Sequence, residues 1–135
     1  MKQIKINCYV ERFIALTLPF DGRMCVCDHD EVFEIDLGTG VANYISDDPY
    51  DFCEKNKTYG LSEAPPIKQT GDKSLSYDFD PYKKHVDVFV TLGSERETIK
   101  FPIMSGDWFF ASFSECGLYL VIAEPYELHV YKLSV

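Results

Sequence analysis

Two segments of the chain repeat the same order of strands and turns, and this order limits the folds that the chain can adopt. Residues 12–37 and 107–133 each read as strand, glycine-containing turn, strand, short turn and strand. Gly22 occupies the first turn of one segment, and Gly117 occupies the first turn of the other. Apolar runs of about four to eight residues that are bounded by turn residues are typical of strands. Each segment is therefore predicted to form a three-stranded antiparallel meander.

The second segment, and above all its part FSECGLYLVIAEPYELHVYKL at 113–133, resembles a hairpin of a β-propeller blade. The chain lacks the Gly-His and Trp-Asp pairs of WD40 propellers, since Trp108 follows Asp107 in the reverse order. Propellers contain about four to eight blades, which is more than 135 residues provide. The resemblance therefore implies an arrangement of strands and no function. Whether the two meanders are a true duplication is left open.

The remaining residues predict further short strands, one helix and one exposed loop. Asp48 followed by Pro49 is a typical helix start, so a short helix is predicted over 47–56. Proline, glycine and serine mark 62–74 as an exposed loop. Further strands are predicted at 4–10, 41–46, 85–92 and 96–103. We expect one all-β, mainly antiparallel domain over 1–135, a β-sandwich or a barrel-like sheet built from meanders with one short helix.

The cysteines and the absence of export signals predict a cytoplasmic protein with reduced thiols. The chain has five cysteines, no apolar run of about 18 residues and no apolar signal-peptide core. Cys25 and Cys27 are two residues apart in a predicted strand, so they share one face of the sheet. We interpret them as buried thiols, because a lone CxC pair is a weak zinc signal.

No sequence motif indicates a reaction. The chain contains no G-x-S-x-G, H-E-x-x-H, P-loop or G-x-G-x-x-G pattern. His29 lies among possible metal ligands in CDHDE at 27–31, but consecutive side chains of an extended turn point in different directions. We therefore expect a solvated hairpin tip, no metal and no cofactor. A small enzyme that uses His29 or His129 is the alternative, with His129 expected at the surface.

The distribution of charge suggests a binding surface. The net charge of −9 disfavours nucleic acid and anionic membranes as partners and favours a basic protein. No lysine or arginine lies between Arg23 and Lys55, whereas nine acidic residues do. Aromatic residues interleaved with charges are typical of binding hot spots, although a charge run also aids solubility. The predicted partner-binding residues are Asp28, Asp30, Glu31, Glu34, Asp36, Tyr44, Asp47, Asp48, Tyr50, Asp51, Phe52 and Glu54.

In size, acidity and predicted cytoplasmic location, the chain resembles the immunity proteins that bacteria make against their own secreted nuclease toxins. The resemblance covers general character and no motif. It implies a non-catalytic inhibitor that occludes the cationic substrate cleft of a basic toxin domain, with fast and salt-sensitive association. The alternative is a small β-domain scaffold or adaptor that binds its partner through residues 126–133 or Trp108.

Overall fold

The computed structural model describes residues 1–61 and 64–133. Within these residues the chain forms thirteen mostly short strands and one helix. In chain order they are β1 (Lys2–Ile4), β2 (Ala15–Leu16), β3 (Arg23–Cys27), β4 (Val32–Asp36), β5 (Ala42–Ser46), α1 (Pro49–Lys55), β6 (Tyr59–Gly60), β7 (Gln69–Thr70), β8 (Lys73–Ser76), β9 (His85–Leu92), β10 (Glu95–Pro102), β11 (Phe110–Phe113), β12 (Tyr119–Glu124) and β13 (Glu127–Lys132).

The strands pair antiparallel in three open sheets. The first sheet has the order β5-β4-β3-β2-β6, and the second sheet has the order β10-β9-β8-β7. The central sheet has the order β1-β13-β12-β11, so the N-terminal strand completes it beside the C-terminal strand. In that pair, Lys2 lies opposite Lys132 and Ile4 opposite Val130. The second sheet is a meander of consecutive strands, whereas the first sheet adds β6 and the central sheet adds β1 at an edge. The first turns of the two predicted meanders contain Gly22 and Gly117, whose φ angles are 75° and 74°.

The central sheet is buried on both faces. Val121 on one face packs in a cluster with Ile35 of the first sheet, and Leu120 on the other face packs with Val88 of the second. Burial of each such side chain contributes about 1.5–3 kcal/mol, which makes this sheet the centre of the core. The all-β class is confirmed, and the sheets that contain 12–37 and 107–133 pack face to face. The three sheets are stacked as layers and are not closed into a barrel.

The helix forms where the sequence predicts it. The Asp48 carboxylate accepts a hydrogen bond from the Asp51 N–H at 3.0 Å, and Pro49 follows in the first turn. The helix ends before Asn56, whose side-chain amide and backbone N–H both donate to the Phe52 carbonyl. Its apolar side contacts the outer face of the first sheet through Phe52 and Cys53.

Two predictions of local structure need correction. The strand predicted over 4–10 is wrong beyond Ile4, because β1 covers Lys2–Ile4 and the following residues cross from the edge of the central sheet to the first sheet, which they meet at one bridge between Asn7 and Val41. Its predicted alternation of half-buried and exposed side chains is confirmed. The loop predicted over 62–74, whose first two residues lie outside the described part, contains β7 and the start of β8, since Gly71-Asp72 forms a hairpin turn.

Candidate protein-binding surface

The turn between β3 and β4 lies beside the start of α1, and together they form an acidic surface. His29 Nδ1 lies 3.4 Å from the Tyr50 hydroxyl, which joins the turn to the helix. The pKa of Tyr44 is raised, first by desolvation and then by the negative charges of Asp47 and Glu31. Both carboxylates therefore lie near this phenol. We call this surface the acidic end, and define it as Asp28, Asp30, Glu31, Tyr44, Asp47, Asp48 and Tyr50.

Several of the predicted acidic residues stabilise the local backbone. The Asp28 carboxylate accepts hydrogen bonds from the backbone N–H groups of Asp30 and Glu31 at 2.8 and 2.7 Å. Asp36 accepts in the same way from Gly38 and Thr39 in the next turn, and Asp48 caps the helix. Short polar side chains that accept from nearby N–H groups favour turns and helix starts. Part of the acidic content is thus explained by the fold.

Other acidic residues have no such role. Asp51 pairs with Lys55 at 3.0 Å, but in residues 1–61 and 64–133 no cation lies within ion-pair distance of Asp30, Glu31 or Asp47. Tyr44 and Tyr50 stand among them with exposed fractions of 54% and 62%. The acidic end therefore combines carboxylates that lack a counter-charge with two exposed aromatic rings.

The other predicted residues do not belong to this cluster. Asp36 lies at the opposite end of β4 from the turn at Asp28, about 13 Å along a five-residue strand. Glu34 lies between them on the outer face of the first sheet, and Glu54 lies exposed on α1. Phe52 is half-buried against that face, so it holds the helix on the sheet. Of the three predicted aromatic residues, Tyr44 and Tyr50 are therefore the two that are exposed to a partner.

A cleft lies on the outer face of the first sheet, and two of the predicted partner-binding residues, Glu34 and Phe52, line it. We call it the outer cleft; its volume is about 510 Å³. Its lining residues are Thr17, Leu18, Phe20, Asp21, Arg23, Met24, Cys25, Glu34, Ile45, Phe52 and Asn56. Phe20 lies before the acidic stretch, so the distribution of charge does not indicate it. Its position just before the Asp21-Gly22 turn is the sequence signal that could have indicated it.

Cys116 is exposed, whereas the other four thiols are buried or half-buried. As predicted, Cys25 and Cys27 face the same side of the first sheet, where Cys27 packs with Cys53. Burial raises the pKa of Cys27 to about 12, and the nearby Cys53 adds to this shift. Burial also raises the pKa of Cys8 and of Cys25. A thiol is nucleophilic only as its thiolate, so these side chains have low reactivity near neutral pH.

Of the residues named in the alternative interpretations, His29 is exposed, whereas His129 and Trp108 lie in packed positions. His129 is half-buried and meets Phe101 edge to face at 4.9 Å, so its predicted exposure is wrong; the second sheet covers that face of β13. Its hydrogen-bonding partner is Glu127 at 3.3 Å. Trp108 is buried in the core, and β13 lies inside the central sheet, so an adaptor surface there has little exposed area.

The described part of the chain contains no group of three histidine, cysteine, aspartate or glutamate side chains placed to hold a metal ion. Nor does any helix in these residues have the length and apolar character that are needed to cross a membrane. No family model matches the sequence, no curated protein is significantly similar to it, and no solved structure matches its fold. The function is therefore argued from the surface itself.

Proposed function

We propose that this protein is a bacterial immunity protein that binds and neutralises a basic, nuclease-type toxin domain in the cytoplasm. The observation that supports this function is the acidic end, where Asp30, Glu31 and Asp47 lack a counter-charge within residues 1–61 and 64–133 and two tyrosines are exposed. Carboxylates without a counter-charge repel one another and destabilise the compact state. A basic partner removes that repulsion on binding.

Inhibition occurs by occlusion. A nuclease holds the phosphates of its substrate with lysine and arginine side chains. The carboxylates of the acidic end pair with those cations, and Tyr44 and Tyr50 pack against the rim of the cleft. Buried aromatic side chains dominate the energy of interfaces, whereas surrounding charges raise the association rate and fix the orientation. No catalytic step in this chain is required.

A charge reversal that leaves the fold intact tests this function. Asp30→Lys with Asp47→Lys is the suitable pair, because in the described part of the chain neither carboxylate accepts a backbone hydrogen bond, whereas those of Asp28 and Asp48 do. Reversal of Asp48 would also remove the helix cap, at a cost of about 0.5–2 kcal/mol. The double variant changes the net charge from −9 to −5, since each substitution adds two positive charges. The matched control is Asp78→Lys with Glu95→Lys, which makes the same change at exposed positions elsewhere.

The measurement is stopped-flow association with the basic domain encoded immediately beside the gene for this chain. The wild-type chain is expected to block nuclease activity of that domain. The Asp30 and Asp47 variant should associate about tenfold more slowly at low salt, with a flatter salt dependence, because steering by charge is lost. The control should keep most of the wild-type rate. Equal rates for the two variants, or no inhibition by the wild-type chain, would refute the proposal.

A further inference from the structure

The outer cleft has a polar floor between apolar walls. Cys25 pairs with Glu34 across β3 and β4, and the Cys25 N–H donates to the Thr17 hydroxyl at 2.8 Å. These three side chains form a row across the outer face of the first sheet. Phe52 of α1 is half-buried on one side of the row, and Ile45 of β5 is exposed beside it. The floor of the cleft thus places the Glu34 carboxylate beside a space that is bounded largely by apolar side chains.

Phe20 forms an exposed aromatic wall on a rigid turn. Its ring is 80% exposed, although its backbone exchanges two hydrogen bonds with Arg23 at 2.8 and 3.1 Å. Asp21 and Gly22 between them have φ angles of 53° and 75°, the pattern of a tight two-residue hairpin turn. The ring is therefore open to contact by a partner, and aromatic side chains are among those that contribute most to interfaces once they are buried there.

The charges of the cleft favour a cation. Two carboxylates, Asp21 and Glu34, line the cleft together with one guanidinium, that of Arg23. Arg23 lies 4.0 Å from Glu34, and both side chains are substantially exposed, so this contact contributes little. The pKa of the Cys25 thiol is raised by burial and then by the charge of Glu34, while the hydrogen bond from Thr17 acts in the opposite direction. The negative field of Glu34 therefore reaches the floor.

We propose that the outer cleft holds an arginine side chain of the basic partner protein. The inference rests on the proposed function, because it takes the occupant from the same partner. An arginine fits both parts of the cleft: its stem packs along Ile45, and its planar guanidinium stacks on Phe20 and donates to the carboxylate of Glu34. The volume of about 510 Å³ leaves room for the partner backbone that carries this side chain.

The test uses N-acetyl-L-arginine amide as the probe, titrated at constant ionic strength and followed through the backbone amide signals. The probe should shift the signals of Cys25 and Ile45. N-acetyl-L-norleucine amide, which has an apolar stem without charge, should bind much more weakly. The variant Glu34→Gln keeps the shape and removes the charge, so it should weaken the probe about tenfold or more.

Phe20→Ser tests the aromatic wall, and its matched control is Phe89→Ser, which removes another exposed phenylalanine on the second sheet. The first variant should weaken binding of the probe, and the control should not. The absence of shifts up to the solubility limit, or equal binding of both amides, would overturn the proposal. So would tighter binding of a linear polyamine than of the arginine amide, since the cleft would then be a small-molecule site.

These outcomes are separable from those of the proposed function. If the acidic end steers the toxin domain but the probe does not bind, the function stands and the arginine site fails. If the probe binds but charge reversal at Asp30 and Asp47 leaves association unchanged, the cleft recognises cations and the acidic end is not the steering surface.

Discussion

Replacement of Gly40 by alanine is expected to destabilise the fold because it forces the N-terminal segment away from the first sheet. A Cβ atom at this position would lie 1.9 Å from the carbonyl oxygen of Lys5, which is far inside contact distance. The obstacle is backbone and cannot rotate away. The same region holds a hydrogen bond from the Asn7 N–H to the Gly40 carbonyl at 2.8 Å.

The expected loss has two parts beyond the cost of a positive φ angle. Overpacking at an ordered site costs about 1–3 kcal/mol. The weakened hydrogen bond of Asn7 costs about 1 kcal/mol. Together they amount to about 2–4 kcal/mol, a large part of the total of about 5–15 kcal/mol for a domain. At about 2.1 cal/mol/K per residue, the unfolding entropy of this chain converts that loss into a fall in Tm of about 7–14 °C.

Gly22→Ala is the matched control. Gly22 has a φ angle of 75° and Gly40 one of 77°, so an alanine is destabilised by the unfavourable backbone conformation to the same extent at either position. No atom lies within 4 Å of the Cβ that would be added at Gly22. Thermal unfolding followed by circular dichroism and calorimetry should therefore give a lower Tm for Gly40→Ala than for Gly22→Ala, by the range given above. Equal Tm values would refute the contact between the N-terminal segment and this turn.

Two further predictions concern buried groups. The carboxylate of Glu124, which is fully buried, accepts hydrogen bonds from the N–H groups of Met104, Ser105 and Tyr126. Glu124→Gln should therefore lower the unfolding free energy, measured by calorimetry, by about 2–3 kcal/mol. An unchanged unfolding free energy would contradict this role. Cys27 should resist alkylation in the folded protein, because burial holds its pKa at about 12. The pKa of Cys27 in the folded state lies above the ordinary value of 9.0, so the unfolding free energy should fall as the pH rises from 9.0 towards about 12. Rapid alkylation of Cys27 at neutral pH would contradict its burial.

The elements that could be predicted from the sequence are those whose causes lie within a few residues. The helix start at Asp48-Pro49 and the hairpin of β3 and β4 depend on caps, turns and alternation, and they lie where they were predicted. The strand over 4–10 was predicted too long because its side chains alternate, whereas its backbone meets two different sheets. Alternation of apolar and polar residues indicates which side chains are half-buried. It does not indicate which backbone groups form hydrogen bonds with a neighbouring strand.

The candidate site likewise has features that the sequence shows and features that only the fold creates. The acidic residues and the two exposed tyrosines are visible in the sequence, but only the fold joins the turn at Asp28 to the start of α1. It also assigns Phe52 to packing and brings Phe20 to the same cleft as Glu34. Phe20 and Glu34 are fourteen positions apart and belong to different predicted elements, so no local pattern relates them.

The sequence by itself determined the all-β class, the meanders, the helix and the acidic composition of one stretch, because side-chain periodicity and turn chemistry act over short distances. The tertiary structure decided that the sheet of residues 107–133 is central, that His129 is half-buried, and that Phe20 and Glu34 line one cleft. Those outcomes depend on which apolar faces of the three sheets pack against one another. Apolar burial has no direction, so the choice of partner is made only when the three sheets pack together.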